Sequence, residues 1–427
     1  MKSQHEFQFI NLHYSIINFF YWMCLASIQG YAAFYLLDSG MSNTGIGLLL
    51  GIGGLLSALI QPFIASWADR PNGPSVKTLT IVMSSAVVTG SLLLFVFHHR
   101  SFIGTYLVYL VSYLFFMMEQ SSVNAICTES INNGQKISYG FGRGVGSLGY
   151  MIGSFVLGHA AARAGVLSIP AAVFISSAAT CIAAFTFPRS RRRTPGQIPG
   201  HKCPDASSDH GVSSDSVSAG TASTDAVSAS GRDKSGSLLT FFVRYPQITV
   251  AMVSLVLIFI GHTYINNFLL PIVESKGGGS ADMGNLMSFA AFPELIIMLC
   301  YGWLRKLMPD RFWFRMSGIF FTLKVLFTML VPTIGLMYPV QLFQPFGWGL
   351  LAVSAVYYIN DIVDDTDKVK GQAIYTATFT LGTVLGSMTA GILLDHGGVT
   401  AMLLVGTVLS AVGAGLLLFS AKVRRRR

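Results

Sequence analysis

The chain has 427 residues, with 28 Lys and Arg against 19 Asp and Glu, 52% apolar residues, 11% charged residues and a mean hydropathy of +0.58. That composition excludes an ordinary water-soluble globule and places the chain among integral membrane proteins. The net charge of +9 is a topology signal and excludes a nucleic-acid partner as its explanation, because the basic residues gather between the apolar runs.

About 20 mostly apolar residues cross a bilayer as a helix. Six such spans are predicted over residues 10–37, 44–68, 77–98, 102–127, 139–163 and 166–188, and six more over 245–274, 281–304, 312–333, 336–361, 370–394 and 398–421. The first apolar stretch begins near Phe9, is rich in aromatics and lacks a cleavage site, so it persists as a span and is not a removable signal peptide. Between the two sets, residues 189–244 are predicted as a disordered cytoplasmic linker. The part from Arg189 to Ser237 opens on Arg189, Arg191, Arg192 and Arg193 and is then dominated by Ser, Gly, Ala and Asp, which cannot bury enough apolar surface to fold.

The expected organisation is therefore all-α, with an N-terminal six-helix bundle over 1–188 and a C-terminal one over 245–427. Alternate connections hold only Arg100, Arg163 and Lys276. Arg143 and Lys324 fall inside spans, and the other 23 basic residues lie in or beside the opposite segments and termini, ending on Arg424 to Arg427. Positive charge stays cytoplasmic, so both termini are expected inside a bacterial-type cytoplasmic (inner) membrane.

Five cysteines, Cys24, Cys127, Cys181, Cys203 and Cys300, show neither a disulfide framework nor metal-ligand spacing. Gly277, Gly278 and Gly279 form a turn between spans and not a phosphate loop, since no lysine follows. The run Asp361, Asp364, Asp365 and Asp367 with Lys368 and Lys370 is read as solvated loop charge. No nucleotide loop, nucleophile triad or metal cluster is found, so the chain is not expected to be an enzyme or to carry a cofactor.

Ionisable groups inside spans are costly, at least about 2.5 kcal/mol on insertion scales, and are functional candidates by default. Four stand out: Glu119, Arg143, Glu294 and Lys324. Glu294 follows Pro293, which frees a backbone carbonyl one turn earlier and favours a local opening of the helix. It is read either as a proton-coupling carboxylate or as a static partner of Lys324. Glu119 is read as a second proton carrier or as an ion-pair partner of Arg143. Helical spacing gathers neutral polar groups onto shared faces: Tyr14, Asn18, Trp22 and Gln29; Gln120 with Asn124; His262 with Asn266, beside Tyr264 and Asn267; and Gln344, Trp348 and Tyr358. Amides and aromatics in such a lining suit a neutral, hydroxyl-rich ligand, because an unpaired buried amide is expensive. Each amide also has the plainer reading of a bond between helices, and His262 that of a satisfied interior histidine.

The segment Ala65-Ser-Trp-Ala-Asp69-Arg70-Pro-Asn-Gly73, followed by Lys77, resembles the loop signature of the major facilitator superfamily. The resemblance implies a gating role for Asp69 and Arg70. A degraded copy, Gly302-Trp-Leu-Arg305-Lys306, occupies the equivalent loop of the second half. The run Tyr139-Gly-Phe-Gly142-Arg143-Gly-Val-Gly146-Ser-Leu-Gly149-Tyr150 is similar to the fifth-helix signature of the lactose permease group of oligosaccharide and proton symporters, with nucleoside symporters as close relatives. By that resemblance Arg143 forks onto hydroxyls, which a rigid guanidinium suits, and Tyr150 stacks on the ring. Gly142, Gly146, Gly149 and Gly153 would allow close helix approach.

The same alignment places the group's sugar-binding glutamate on Asn124, two acids of its seventh helix near Ile265 and Asn267, and their lysine partner near Thr383. Its tenth-helix histidine falls on Gln344, its proton-carrying glutamate on Gly347, its ninth-helix arginine on Lys324 and its eighth-helix glutamate on Glu294. The polar frame is kept while much of the proton circuit is replaced. The resulting expectation is a monomeric importer of a sugar, oligosaccharide or nucleoside-like solute, driven by a proton gradient with no cofactor or metal. The solute would be held by Arg143, Asn124, Gln120, Tyr150, Asn18, Trp22, Asn266, Asn267, Gln344 and Trp348. Glu294, Lys324 and Glu119 would handle charge, in halves that rock about a midplane site. The alternatives are an exporter of amphipathic compounds and a non-transporting sensor of the same fold.

Overall fold

The computed structural model describes residues 2–68, 70, 73–132, 135, 137–188 and 238–420. Among these residues every regular element is a helix. In the first half the helices are α1 (Lys2–Leu25), α2 (Ala32–Asp38), α3 (Asn43–Ala68), α4 (Val76–Phe97), α5 (Phe102–Asn132), α6 (Tyr139–Ala164) and α7 (Ser168–Thr186). In the second half they are α8 (Leu238–Arg244), α9 (Pro246–Asn267), α10 (Leu269–Glu274), α11 (Ser280–Leu307), α12 (Asp310–Leu330), α13 (Ile334–Gln341), α14 (Leu350–Ile362) and α15 (Lys368–Phe419). Asp69 and nearly all of the expected linker lie outside the described residues, as do Cys203 and the basic tail. The last seven residues within the linker's expected bounds, which follow the low-complexity stretch ending at Ser237, form α8, whose Phe241 is buried against Tyr245.

Nine helices among the described residues are long and apolar enough to cross a membrane, and two bent pairs bring the number to eleven. The 52-residue α15 is two helices joined at Gly398, where φ is 70°. This is consistent with the twelve spans expected. The left-handed backbone at Gly398 turns the chain at little cost because glycine has no Cβ to clash.

Two further breaks matter more for the site. Helix α1 loosens into a π turn over Ala26–Gly30 before α2, and α13 meets α14 through a π turn over Pro345–Gly349. Such turns release backbone groups from the regular ladder and frequently mark functional positions. The bend in α11 lies between Met298 and Cys300 and measures 61°, beyond Pro293, whereas the expected local opening lay one turn before it.

Helices α1 and α3 to α7 pack among themselves, as do α9, α12, α14 and α15. The two sets meet along α3 against α15 and α6 against α11. Helix α9 runs through the interior: 72% of its most apolar window is buried, against 28% for α3. Small residues make the seams possible. A Cβ on Gly47 would come within 2.2 Å of the Ser387 carbonyl oxygen, and one on Gly391 within 2.2 Å of that of Asn43. Within the first set, a Cβ on Gly149 would lie 2.1 Å from the Phe19 carbonyl, and Gly142 and Gly146 sit against Tyr14 and Trp22. Gly142, Gly146 and Gly149 of the Tyr139–Tyr150 signature therefore do the close packing expected of them.

Candidate functional site

The site is built where α6 meets α11. Arg143 and Glu294 stand one residue ahead of Gly144 and Leu295, which face each other across the seam with 3.8 Å between Leu295 Cδ1 and the position of a Gly144 Cβ. The Arg143 guanidinium lies 3.6 Å over the centre of the Trp22 ring and donates through Nη1 to Ser147 Oγ at 3.0 Å. A guanidinium held over an indole face is stabilised by about 0.5–2 kcal/mol, more when water is kept out. Arg143, Trp22 and Tyr150 are all half-buried, as is Glu294.

Behind Glu294 runs a chain of polar contacts. Lys324, 3% exposed, donates through Nζ to Gln344 Oε1 at 2.7 Å, and Gln344 Nε2 reaches Glu294 Oε2 at 3.5 Å. Glu294 and Lys324 thus make no direct ion pair; Gln344, at the mouth of the π turn, spans them. An amide suits that position because one end accepts from the ammonium and the other donates to the carboxylate. The buried Lys324 charge is thereby hydrogen-bonded, as a charge in a low dielectric must be.

On the far side of Gln344 an aromatic layer forms. Trp348 stacks on His262 with ring centroids 5.8 Å apart and planes 10° from parallel, and Phe379 lies 5.3 Å from Trp348. Asn266 is exposed and its Nδ2 lies 2.9 Å from His262 Nε2. Since an amide nitrogen only donates, His262 Nε2 accepts and Nδ1 carries the proton. That Nδ1 is buried without a partner, so His262 is not the fully satisfied interior histidine of the plainer reading.

The remaining predicted residues lie apart from this chain of contacts. Gln120 and Asn124 are half-buried on α5. Asn18 is fully buried between α1 and α6, donates to its own helix at Tyr14 O at 3.0 Å, and leaves Oδ1 unpaired. Asn267 is also buried, and it ties the two halves together: its Oδ1 accepts from Gln29 Nε2 at 3.2 Å and its Nδ2 donates to Ser387 Oγ at 2.8 Å. Tyr358 is sealed against Phe314 with ring centroids 4.2 Å apart. Glu119 makes no ion pair with Arg143; it is 2% exposed and accepts a short hydrogen bond from Ser84. Of the expected gating pair, Arg70 is exposed beside the α3–α4 turn, and Asp69 is outside the described residues.

A second functional feature was not found from sequence. At the face opposite the basic loops, Asp395 on α15 caps the start of α3 across the seam. Its Oδ1 accepts from Asn43 N at 3.1 Å and from Asn43 Nδ2 at 2.9 Å, and its Oδ2 accepts from Thr44 N at 2.7 Å. Free N–H groups and the positive end of a helix dipole both favour a carboxylate there. The Tyr31 hydroxyl reaches the carbonyls of Ser154 and Ser280 at 3.1 and 3.3 Å, and Ser288 Oγ donates to Met151 O at 2.8 Å. This end of the seam is closed by packing and by hydrogen bonds from both halves.

Comparison with solved structures places the fold. A point mutant of the nucleoside transporter NupG superposes with a TM-score of 0.74 at 12% identity, over 97% of this chain and 99% of that one. NupG itself gives 0.71 at 16% identity, over 97% and 100%. A bacterial homolog of the human lysosomal transporter Spinster, in an inward-facing and unoccupied conformation, gives 0.64 at 15% identity, over 97% of each chain. No curated protein matches the sequence. The family described as "MFS_1 like family" matches residues 11–405, nearly the whole chain, and the protein therefore belongs to this family of major facilitator membrane transporters.

Proposed function

We propose that the protein takes up a small, neutral, hydroxyl-rich ring solute, a sugar or a nucleoside, together with a proton. The observation that carries this reading is the arrangement of one guanidinium on an indole face opposite one carboxylate that is relayed through an amide to a buried lysine. Arg143 offers a rigid fork for adjacent hydroxyls, and Trp22 and Tyr150 offer ring faces. Glu294 is the group whose charge changes: it takes a proton when the site is open to the outside, and approach of the Lys324–Gln344 arm favours its release. The relation of the fold to a nucleoside transporter supports a small polar solute.

In this reading both termini are cytoplasmic, by the positive-inside asymmetry, so the face sealed by Asp395 is the outer one. The six-helix sets over 1–188 and 245–427 are the moving halves, and no cofactor beyond the proton gradient is required. The test is uptake by vesicles reconstituted with the purified protein. Labelled nucleosides and sugars are supplied with an inward proton gradient, and one of them accumulates above equilibrium and falls back when the gradient is collapsed. Accumulation of neither class, with active expulsion of amphipathic dyes, would replace this reading with an exporter. Neither movement would point to a sensor.

A further inference from the structure

At the same face as the Asp395 cap, a separate cluster forms from the end of α2 and the turn between α4 and α5. His98 Nε2 and His99 Nε2 both converge on Asp38 Oδ2, at 3.3 and 3.2 Å, and the three ligand atoms all lie within 4.8 Å of one another. We propose that Asp38, His98 and His99 form a binding site for a divalent transition metal, with Zn2+ as its best-fitting occupant. It is independent of the transport site and of the solute carried.

The geometry carries the argument. Zinc bonds to imidazole nitrogen and carboxylate oxygen at about 2.0–2.2 Å, so neighbouring donors of a tetrahedral site are about 3.3–3.5 Å apart. The two nitrogen-to-oxygen separations in the cluster, 3.3 and 3.2 Å, lie at and just below the short end of that range. Two imidazoles and one carboxylate are a donor set for zinc, nickel or copper and a poor one for calcium or magnesium, which take oxygen. Three protein ligands leave the fourth position to water.

The surroundings hold the rings in place. His98 Nδ1 lies 3.3 Å from Ser39 Oγ, and the His98 ring stacks on Tyr35 with centroids 5.2 Å apart. The Tyr35 hydroxyl is fixed in turn to Leu94 O at 2.9 Å. Such outer contacts set which ring nitrogen faces a metal. His99 takes the left-handed region at φ 56° and is the sole described residue other than glycine to do so. This turn brings two consecutive imidazoles to one carboxylate, with ring centroids 4.0 Å apart. Asp38 is 42% exposed and His99 61%, so an ion from the adjoining water reaches them directly. An ion there joins α2 to the α4–α5 turn five residues ahead of Asn43, and so stiffens the segment that feeds the Asp395 cap.

The test is calorimetric titration of the tag-free full-length protein in nanodiscs with Zn2+, in a buffer that does not chelate it. Wild type is compared with His99→Asn, which keeps a residue tolerant of the left-handed turn, and with Asp38→Asn. Melting curves without metal identify folded variants. Wild type is expected to take up Zn2+ at micromolar concentration or below, with at least a tenfold loss of affinity in each folded variant and no competition from excess Mg2+. Absence of zinc binding by wild type would overturn the assignment. So would wild-type affinity in a folded variant, which would move the binding to other ligands such as His201, Cys203 and His210 of the linker.

Discussion

Replacing Asp395 by alanine removes a cap that one half of the protein supplies to a helix of the other. The carboxylate accepts from Asn43 N, Asn43 Nδ2 and Thr44 N at 2.7–3.1 Å. Hydrogen bonds to a charged group are worth about 1.5–3 kcal/mol each when water is excluded. Asp395 is exposed, so water takes over part of that role once the seam opens, and the loss of an N-cap, about 0.5–2 kcal/mol, is the better guide. Ser42 Oγ, which accepts from Gly45 N at 3.1 Å, still caps α3 from its own chain end, so the helix survives and the loss falls on closure. A loss of about 1–2 kcal/mol changes the ratio of closed to open forms of this end of the seam roughly 5–30-fold. Spin labels at Arg100→Cys and Ser275→Cys, both exposed at this face and one in each half, report the change as a longer distance population in Asp395→Ala. Asp395→Asn keeps one acceptor oxygen and is expected to fall between. Distance distributions identical in the three proteins would refute a latching role for this carboxylate.

Other substitutions probe other parts of the account. Gly47→Ala places a methyl 2.2 Å from a backbone oxygen of the facing helix, so the same labels should show this end of the seam forced apart even with Asp395 intact. Arg143→Lys keeps a positive charge but loses the planar fork and the fit over Trp22; binding of the transported solute should weaken at least tenfold in a scintillation proximity assay, and wild-type affinity would remove the clamp. Gln344→Leu leaves the buried Lys324 ammonium without its acceptor, a loss of about 1.5–3 kcal/mol. The melting temperature should fall, and it should recover when Lys324→Met is added, because an apolar pair is often no worse than a broken polar one.

The helices were legible because long apolar runs and sparse charge leave few alternatives, and the same economy drew attention to Arg143, Glu294 and Lys324. Their actual arrangement was not. The link through Gln344 depends on a π turn at Pro345–Gly349 that shifts the register of the tenth span, and no periodicity announces it. Of the two readings of Glu119, a proton carrier or an ion-pair partner of Arg143, the ion pair is not formed; Glu119 accepts from Ser84, whose neutral hydroxyl carries no signal in a sequence. Asp395 has no signal of its own in the sequence, because an acid at a span end is common and two of its three donors are backbone N–H groups some 350 positions away. The signal available was the small residues Ser387 and Gly391 of α15, which lie against Gly47 and Asn43 and mark a close seam between α15 and α3. Asp364 and Asp367, read as solvated, are paired with Arg244 and bonded to Tyr245, because α8 folds where a disordered linker was expected.

The claim that Glu294 carries the transported proton is tested most directly by Glu294→Gln in reconstituted vesicles, measuring uphill accumulation and solute exchange side by side. Glutamine preserves the size of the side chain and its reach to Gln344 but cannot be ionised. Accumulation driven by the proton gradient should disappear while exchange of labelled for unlabelled solute continues at a rate near wild type. Undiminished uphill accumulation in the variant would contradict the account.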